Sequence, residues 1–527
     1  MAPFNYVSSP GLSIVVLVLC FTFFIAIRNR YQRHGADKLP LPPGPPGEPL
    51  LGHLRVIPAD FSERAYDRWS REYKSDILSF RILNQRIIVI NSVQAAQELL
   101  NRRGINYSDR PQLALFNEVM GFGEMKAMSL LPWSPAWKLS RRMLQRYLGT
   151  SPTHLPHYYQ RHLDRELGML LRRYVDNSRA SVKEALVKFA TSVLLGTLYG
   201  LRITKDDDPS LEAASGLRAS ISRTGAIGAS LVDFIPVLRL LPRWLEDAPL
   251  KHARDGRQHI LQFWNVPFEA LKRSEDKMPC MLRDALDERE DQLRKDTEPD
   301  MTEHEINGMV GAANAAGQDT IWSSLMVFVF NMVMRPDIQA KAQKALDEVV
   351  GRDRLPTLED RSKLPYIDCL VQETLRWLPT LPLGLAHRSI QDDIYDGYLI
   401  PGGSVVIANT YAMTRDETIY RNPDMFDPER FLPVESGGRK EPHPVGPFGF
   451  GRRVCPGKLV GELTLWSVIS CMLSTMKIEK AVDAGGRPIT PEAEFTNGFV
   501  QHLNDFPCDI SPRDKQSVSL IQGVLLG

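Results

Sequence analysis

The sequence predicts a mainly α-helical fold with a small β-rich part, preceded by one N-terminal transmembrane helix. A long, largely apolar stretch over residues 305–334 predicts the dominant helix, and an Arg-Pro pair follows at its expected end. Residues 397–400 and 405–407 predict two short strands joined by a Pro-Gly-Gly turn. Residues 11–27 are largely apolar and uncharged, which is close to the lower limit of roughly 17 residues for a membrane-spanning helix.

Length and composition predict how the chain is organised. It has 527 residues, of which 43% are hydrophobic, as in an ordinary globular protein with a large core. No linker, charge block or repeat divides it after about residue 50. We therefore expect a membrane anchor over 1–27, a basic and proline-rich hinge over 28–50, and one large domain over 51–527. The 64 basic and 63 acidic residues nearly balance, so nothing indicates a nucleic-acid partner.

The charges around the apolar run predict its orientation. Arg28, Arg30 and Arg33 follow the run, whereas a cleaved signal peptide carries positive charge before it. By the positive-inside rule, the basic side and everything after it stay in the cytosol. We therefore expect a single-pass protein of the endoplasmic reticulum membrane, in which a stiff proline-rich spacer over 39–47 leads to a cytosolic catalytic domain.

Residues 234–245 are a candidate for a second membrane contact. Aliphatic side chains, Phe234 and Trp244 alternate there with Arg239 and Arg243, as at a lipid interface. A core helix whose two arginines extend their charged ends to water explains the pattern equally well. The sequence leaves both interpretations open.

The six cysteines are widely spaced, without a Cys-x-x-Cys pair or a dense disulfide framework, which favours a reducing compartment. They are Cys20, Cys280, Cys369, Cys455, Cys471 and Cys508. Cys455 differs from the others because it lies in Phe-Gly-Phe-Gly-Arg-Arg-Val-Cys-Pro-Gly, residues 448–457. A thiolate that binds iron needs backbone N–H groups near its charge, and glycines on both sides permit that approach. The alternative is a free cysteine buried in a glycine-rich turn.

Residues 448–457 match the signature Phe-x-x-Gly-x-Arg-x-Cys-x-Gly at every fixed position, and the sequence therefore resembles the cytochromes P-450, the haem-thiolate monooxygenases. The resemblance extends from the proline-rich spacer to the region around Phe499. It implies the haem-thiolate monooxygenase fold, a haem b whose iron is bound by Cys455, and dioxygen as a substrate. The implied reaction inserts one oxygen atom into an unactivated C–H bond.

Residues 316–320, Ala-Gly-Gln-Asp-Thr, place an acid and a hydroxyl within the long apolar stretch. Burying a carboxyl group costs free energy unless it is hydrogen-bonded, so a purely structural role is unfavourable. The segment resembles the family's oxygen-activation motif, in which small residues, here Ala316 and Gly317, locally open the helix for dioxygen. The resemblance implies that Thr320 donates a hydrogen bond during oxygen activation and that Asp319 relays protons from solvent.

A haem protein must supply cations for the two haem propionates, and the planar guanidinium of arginine suits carboxylates. The positions that resemble the family's propionate ligands are Arg110, Trp137, Arg141, His387 and Arg453. At His387 the chain has Ala-His-Arg where Pro-His-Arg is commoner in the family. This difference leaves open whether His387 or Arg388 makes the contact.

Glu373 and Arg376 lie three residues apart on one helical face, which by itself is a common surface pair. Residues 426–431, Phe-Asp-Pro-Glu-Arg-Phe, follow at the distance expected for the family's meander, and Arg430 resembles the arginine that joins the pair. The resemblance implies a structural triad that holds the segment leading to Cys455.

The resemblance also implies an electron donor and a class of substrate. No flavin or iron–sulfur segment accompanies the predicted haem domain, so we expect a separate NADPH-dependent reductase. The spacing of the motifs and residues 398–401 are most similar to fungal members of secondary metabolism, which favours a lipophilic terpenoid or polyketide. Apolar side chains including Phe116, Leu381 and Phe499 are expected to bind it.

Two other functions stay open. One is a haem-thiolate isomerase or peroxygenase that takes no electrons from a reductase, although Asp319 and Thr320 count against it. The other is a non-enzymatic haem-binding protein on the membrane.

Basic residues accompany the haem motifs and predict a positive patch on the thiolate side of the haem. They are Lys138, Arg142, Arg146, Arg452 and Lys458. Such a patch would steer an acidic reductase to the haem. The alternative is an ordinary cluster of solvated charges.

Overall fold

The computed structural model of the protein describes residues 39–149, 157–205, 207–224 and 230–524. The predicted anchor over 11–27 lies outside these ranges. Among the described residues, no helix combines the length and the apolar character needed to cross a membrane.

The described chain is mainly helical, as predicted. Its helices are α1 (Ser62–Tyr73), α2 (Val93–Ala96), α3 (Pro135–Leu148), α4 (His157–Asp176), α5 (Val182–Tyr199), α6 (Pro209–Thr224), α7 (Ala248–Arg273), α8 (Met281–Arg294), α9 (Glu303–Met334), α10 (Pro336–Val349), α11 (Pro365–Trp377), α12 (Thr410–Thr414), α13 (Lys458–Thr475) and α14 (Lys515–Val524). Its strands are β1 (Ile77–Ile82), β2 (Gln85–Ile90), β3 (His387–Arg388), β4 (Asp393–Tyr395), β5 (Tyr398–Ile400), β6 (Val405–Ala408), β7 (Met476–Lys480) and β8 (Cys508–Pro512).

The helix α9 is the long helix that the sequence predicts. It begins at a reciprocal cap, in which the Thr302 hydroxyl accepts from the Glu305 N–H and the Glu305 carboxylate accepts from the Thr302 N–H. It ends before Pro336, because proline disfavours helical geometry in the residue that precedes it. The helices α5, α8, α11 and α13 pack around it. This central helix carries one wall of the candidate site.

The β-rich part contains, within the described ranges, a four-stranded sheet of order β1-β2-β6-β3 and two two-stranded sheets. The two predicted strands are present as β5 and β6, but they belong to different sheets. β5 pairs with β4, whereas β6 pairs with β2 and β3. At the turn between them Gly403 has φ 80°, and the Ser404 N–H donates to the Ser389 hydroxyl. The sequence shows the turn but not the distant partners of each strand.

Residues 234–245 lie at the surface, where the described segment consists largely of short 3₁₀ turns. Val237, Leu240 and Trp244 are 64%, 74% and 80% exposed. The core-helix interpretation of this segment is therefore wrong. Two apolar residues of the segment do pack inward: Phe234 contacts the hydrophobic cluster formed by α1, β1 and β2, and Leu238 contacts the main core.

Candidate active site

Cys455 lies in a closed loop between the 3₁₀ turn Gly451–Arg453 and α13. Its N–H donates to the carbonyl oxygen of Phe448 at 2.7 Å. Glycine is needed at position 451, because φ is 57° and a Cβ atom there would collide with the carbonyl oxygen of Leu100. The loop therefore holds the sulfur in a fixed position.

The surroundings of Cys455 favour its thiolate only when a cation binds the sulfur. The residue is partly exposed, yet protein atoms surround most of it, and this burial raises the pKa of the Cys455 thiol. The Gly457 backbone N–H and the charges of Arg141 and Lys458 oppose that rise. Because a bound metal ion deprotonates a coordinating thiol outright, an iron ligand is a better explanation of the loop than an inert free cysteine.

Arg110, Arg141 and Arg453 are all buried, and they donate to backbone carbonyl oxygens. Arg110 donates to Leu385 and Ala386, both at 2.7 Å. Arg141 donates to the carbonyl oxygen of Val454, next to the cysteine. Within the described part of the chain none of the three arginines forms an ion pair.

Arg453 also has an unsatisfied donor. It donates to the carbonyl oxygens of Ser108 at 2.7 Å and Leu131 at 2.9 Å, but its Nη1 is buried without a hydrogen-bond partner. A buried, charged donor of this kind is costly unless an acceptor reaches it.

The cations of the site destabilise one another. Burial lowers the pKa of Arg110 to about 10, and burial together with the Arg110 charge lowers the pKa of Arg453 to about 9. Burial, Arg110 and Arg453 lower the pKa of His387 to about 3. A ligand with two carboxylates would relieve both the repulsion and the missing hydrogen bond, and the haem propionates fit this requirement.

His387 and Arg388 differ in their surroundings, which addresses the question left open by the sequence. His387 is buried near Arg110 and Arg453, and its Nδ1 bonds to the carbonyl oxygen of Tyr107 at 2.8 Å. Arg388 points toward Asp109, with 3.8 Å between their charged atoms. The geometry therefore favours His387 as the propionate contact.

Trp137 supports Arg453 through its ring. The guanidinium carbon of Arg453 lies 4.1 Å from the centroid of the Trp137 indole. The ring of Trp133, which precedes α3, lies 4.8 Å from the Trp137 ring, centroid to centroid. These contacts fix the direction of the Arg453 side chain. In this structure Trp137 therefore acts by orienting Arg453, and this role explains why Trp137 matches the family motif.

One face of α9 borders internal space. Ala313, Ala316 and Thr320 recur at helical spacing and are more accessible than the core residues around them. An exposed alanine in the middle of a buried helix indicates that no side chain packs against it. The Thr320 hydroxyl lies on this face and donates to the carbonyl oxygen of Ala316 at 3.0 Å.

Gly317 has a packing role that the sequence did not predict. A Cβ atom at this position would lie 2.8 Å from a methyl group of Leu194 on α5. The helix α9 is an uninterrupted α-helix across Ala316 and Gly317, rather than opened as the resemblance implied. Close approach of the two helices therefore explains the glycine.

Asp319 is buried on a different face from Thr320. Its Oδ1 accepts a hydrogen bond from the indole Nε1 of Trp322 at 3.3 Å. Burial raises the pKa of the Asp319 carboxyl group, while the charge of Arg218 on α6 and the indole N–H oppose the rise. Neither Trp322 nor Arg218 was predicted. Trp322 lies three residues after Asp319, a helical spacing that could have indicated it.

The predicted substrate-binding aromatics come together in part. The rings of Phe116 and Phe499 are 6.4 Å apart, and those of Phe116 and Phe122 are 6.2 Å apart. Leu381 is half-buried. The structure thus joins two segments that are far apart in sequence into one apolar, aromatic group.

The predicted triad is confirmed. Glu373 pairs with Arg376 at 2.7 Å and with Arg430 at 3.0 Å, and the side chains of all three are fully buried. Arg430 also pairs with Glu441 at 2.6 Å, a fourth member that no sequence motif predicts. The group joins α11 to the segment that leads toward Cys455.

A cysteine loop flanked by buried arginines that form no ion pair in the described structure is the arrangement expected of a haem-thiolate protein. Comparison with known proteins agrees, because residues 42–502 match the family model described as Cytochrome P450. The chain is 34% identical to cytochrome P450 monooxygenase 136 of Postia placenta, over 98% of this chain and 96% of that protein. It is 33% identical to cytochrome P450 monooxygenase claR of Ampulloclitocybe clavipes, over 92% and 88%. It is 31% identical to cytochrome P450 monooxygenase ple1 of Rhodocybe pseudopiperita, over 99% and 98%.

The chain belongs to the cytochrome P450 family. The family consists of oxidoreductases that hold haem with its iron bound by a cysteine thiolate, and in this chain the matching cysteine is Cys455. The predicted family, cofactor and mainly helical fold are therefore confirmed.

Proposed function

We propose that the protein is a membrane-bound monooxygenase that takes electrons from an NADPH-dependent reductase and oxidises a lipophilic terpenoid or polyketide in secondary metabolism. The observation that carries the proposal is the group of buried arginines beside Cys455, in which Nη1 of Arg453 is buried without a hydrogen-bond partner. The fungal monooxygenases to which the chain is similar support the reaction type.

The side chains of the site have separable roles in this proposal. Haem, when bound, supplies the iron at which dioxygen is activated. Arg110, Arg141 and Arg453 hold its carboxylates. The Thr320 hydroxyl, fixed by the Ala316 carbonyl, provides a hydrogen-bond donor beside the internal space.

Asp319 and the aromatic residues complete the arrangement. Asp319 is a buried carboxyl group, and burial raises its pKa, which favours its holding a proton before passing it on. Phe116 and Phe499 offer apolar surface that binds a lipophilic substrate and keeps water away from it.

The thiolate side of the site supports docking of a reductase. The ammonium of Lys138 and the guanidinium of Arg452 both lie near the Trp133 ring, at 4.8 Å and 5.6 Å from its centroid, so α3 and the cysteine loop present their charges together. Lys458 and Arg142 are exposed as well. Arg146 contributes less, because Glu288 pairs with it at 2.6 Å.

Charge reversal tests this surface. Arg142→Glu should slow reduction by the reductase at low salt and leave peroxide-driven turnover unaltered. Lys74→Glu, an exposed lysine at the end of α1, is the control. Reduction rates that do not depend on salt would exclude the patch as the docking site.

The exposed apolar segment 234–245 supports contact with a lipid surface. Arg254 on α7 donates to the carbonyl oxygens of Arg239 and Leu241, so the segment is held rather than free. Phe234 packs on the same hydrophobic cluster as residues 54–57, which follow the predicted hinge. The segment 234–245 therefore lies on the same side of the protein as the end of the predicted hinge, and a membrane anchored through that hinge would face this segment as well.

The proposal is tested by spectroscopy and then by turnover. Reduced protein with carbon monoxide should show the thiolate-shifted band, and Cys455→His should retain haem but lose that band. Oxygen consumption and product formation should then require NADPH and a reductase. Turnover without a reductase would favour the isomerase or peroxygenase. Haem binding without any turnover of candidate lipophiles would favour a non-enzymatic role.

A further inference from the structure

Trp322 makes a specific contact with the acid of α9. The indole ring is 2% exposed, and its Nε1 donates to Oδ1 of Asp319 at 3.3 Å. Among the described residues this is the carboxylate's one side-chain hydrogen bond. The two residues are three apart on α9, so the helix itself sets their relative position.

The indole is held in place from outside α9. The imidazole of His502 stacks on it, with 4.3 Å between ring centroids and 27° between planes. Two hydrogen bonds to Thr496 hold the backbone of His502. The Thr496 N–H donates to the His502 carbonyl oxygen, and the His502 N–H donates to the Thr496 hydroxyl. Lys183 on α5 lies 5.9 Å from the indole centroid. The direction of the N–H is therefore fixed by contacts on two sides.

No charged group in the described structure forms an ion pair with Asp319, so the Trp322 indole is its direct hydrogen-bond partner. Arg218 faces it from α6 without forming an ion pair in the described structure, and the Nη1 of Arg218 is buried without a hydrogen-bond partner. The Nδ1 of His502 is also buried and unpartnered. Buried nitrogens without a protein partner are usually satisfied by an internal water molecule.

We propose that Trp322 is a positioning residue for proton transfer, whose N–H binds Oδ1 of Asp319 and leaves Oδ2 to exchange protons with water from the side of Arg218 and His502. The proton enters from water at Oδ2 and leaves from the same oxygen, so the carboxylate is regenerated. This inference rests on the proposed role of Asp319 as a proton relay. A phenylalanine would fill much of the same space but could not orient the carboxylate.

The test compares two buried tryptophans. Trp322→Phe removes the hydrogen bond, whereas Trp466→Phe removes a fully buried indole whose N–H has no partner. Both variants should bind haem and keep the carbon monoxide spectrum. Only Trp322→Phe should raise the peroxide formed per NADPH several-fold. Trp322→His, which restores a ring N–H, should recover part of the coupling.

The pH profile separates positioning from packing. The indole N–H favours the ionised carboxylate, so its removal raises the pKa of Asp319 further. The acidic limb of product formed per NADPH should therefore move to higher pH by about one unit, the size expected of a charge-assisted hydrogen bond. In an Asp319→Asn background, Trp322→Phe should have no further effect.

Haem-free protein gives a second readout without turnover. Because the pKa of folded Asp319 is raised, this group stabilises the fold at low pH, and the stabilisation is lost as pH rises through the folded pKa. The free energy of unfolding, measured as a function of pH, should therefore fall over a range that extends to higher pH in Trp322→Phe. Trp466→Phe should show the same pH dependence as wild type.

The possible outcomes distinguish two failures. If wild-type protein forms no product with NADPH and reductase, the proposed function fails. If wild type is coupled but the two Trp→Phe variants behave alike in coupling and pH profile, the positioning role of Trp322 is overturned alone.

Discussion

Arg453 lies over Trp137, with its guanidinium carbon 4.1 Å from the indole centroid. Its Nε and Nη2 donate to the carbonyl oxygens of Ser108 and Leu131, which leaves Nη1 buried and without an acceptor. Protein groups therefore orient the side chain but do not complete its hydrogen bonds. Since an unsatisfied buried donor costs roughly 1–3 kcal/mol, the arrangement suits a carboxylate brought in by a ligand.

We therefore expect Arg453→Met to weaken haem binding by about ten- to a hundredfold, the effect of a hydrogen bond to a charged group worth about 1.5–3 kcal/mol. Methionine keeps apolar contact with Trp137. The measurement is the rate of haem transfer to an apoprotein acceptor. Arg452→Met, at the exposed neighbouring position, is the control. Equal transfer rates in the two variants would show that Arg453 has only a structural role.

Thr320→Ala should divert electrons to hydrogen peroxide while haem and substrate binding stay intact. The reason is that the hydroxyl beside Ala316 is the hydrogen-bond donor on the accessible face of α9. Product per NADPH is the quantity to measure. Ser324→Ala removes a hydroxyl one turn later, which donates to the Thr320 carbonyl oxygen at 2.8 Å, and should leave coupling unchanged. Unchanged coupling in Thr320→Ala would remove this residue from the mechanism.

Glu373→Gln should destabilise the fold strongly. It leaves the fully buried Arg376 and Arg430 without their shared carboxylate, and breaking a buried ion pair costs about 3–5 kcal/mol. The control is Glu348→Gln, which breaks an exposed pair with Lys344 and should cost less than about 0.5 kcal/mol. The denaturant midpoints of the two variants, measured with haem bound, give the loss of stability in each. A similar loss in both would show that the buried group does not stabilise the fold.

Local patterns predicted more of this molecule than distant contacts did. The cysteine loop and the arginines that the structure places around it were predicted because each lies in a short motif. The separate pairing of β5 and β6 was missed, because their partners lie elsewhere in the chain. Gly317 was misinterpreted because a glycine that opens a helix and one that admits a neighbouring side chain look alike in sequence. Arg218 was missed since its approach to Asp319 depends on how α6 packs.

The surface segment 234–245 should provide a membrane contact that does not depend on the predicted N-terminal anchor. Protein that lacks the residues up to Arg28 should leave the membrane in large part, with a remainder that resists high salt. Serine at Val237, Leu240 and Trp244 should then release the remainder. Each apolar side chain that leaves water contributes about 1.5–3 kcal/mol, so removing three should weaken binding by more than about a hundredfold.

Exposed apolar residues elsewhere provide the matched control for that experiment. Ile394, Met425 and Val434 are 52%, 52% and 65% exposed, yet they lie in β4 and on either side of residues 426–431 rather than in the segment 234–245. Serine at these three positions should leave the salt-resistant remainder in place. Sedimentation with phospholipid vesicles measures the bound fraction of each variant. Release by both sets would indicate general loss of hydrophobicity, and a full-length protein that never sediments with vesicles would refute the membrane contact altogether.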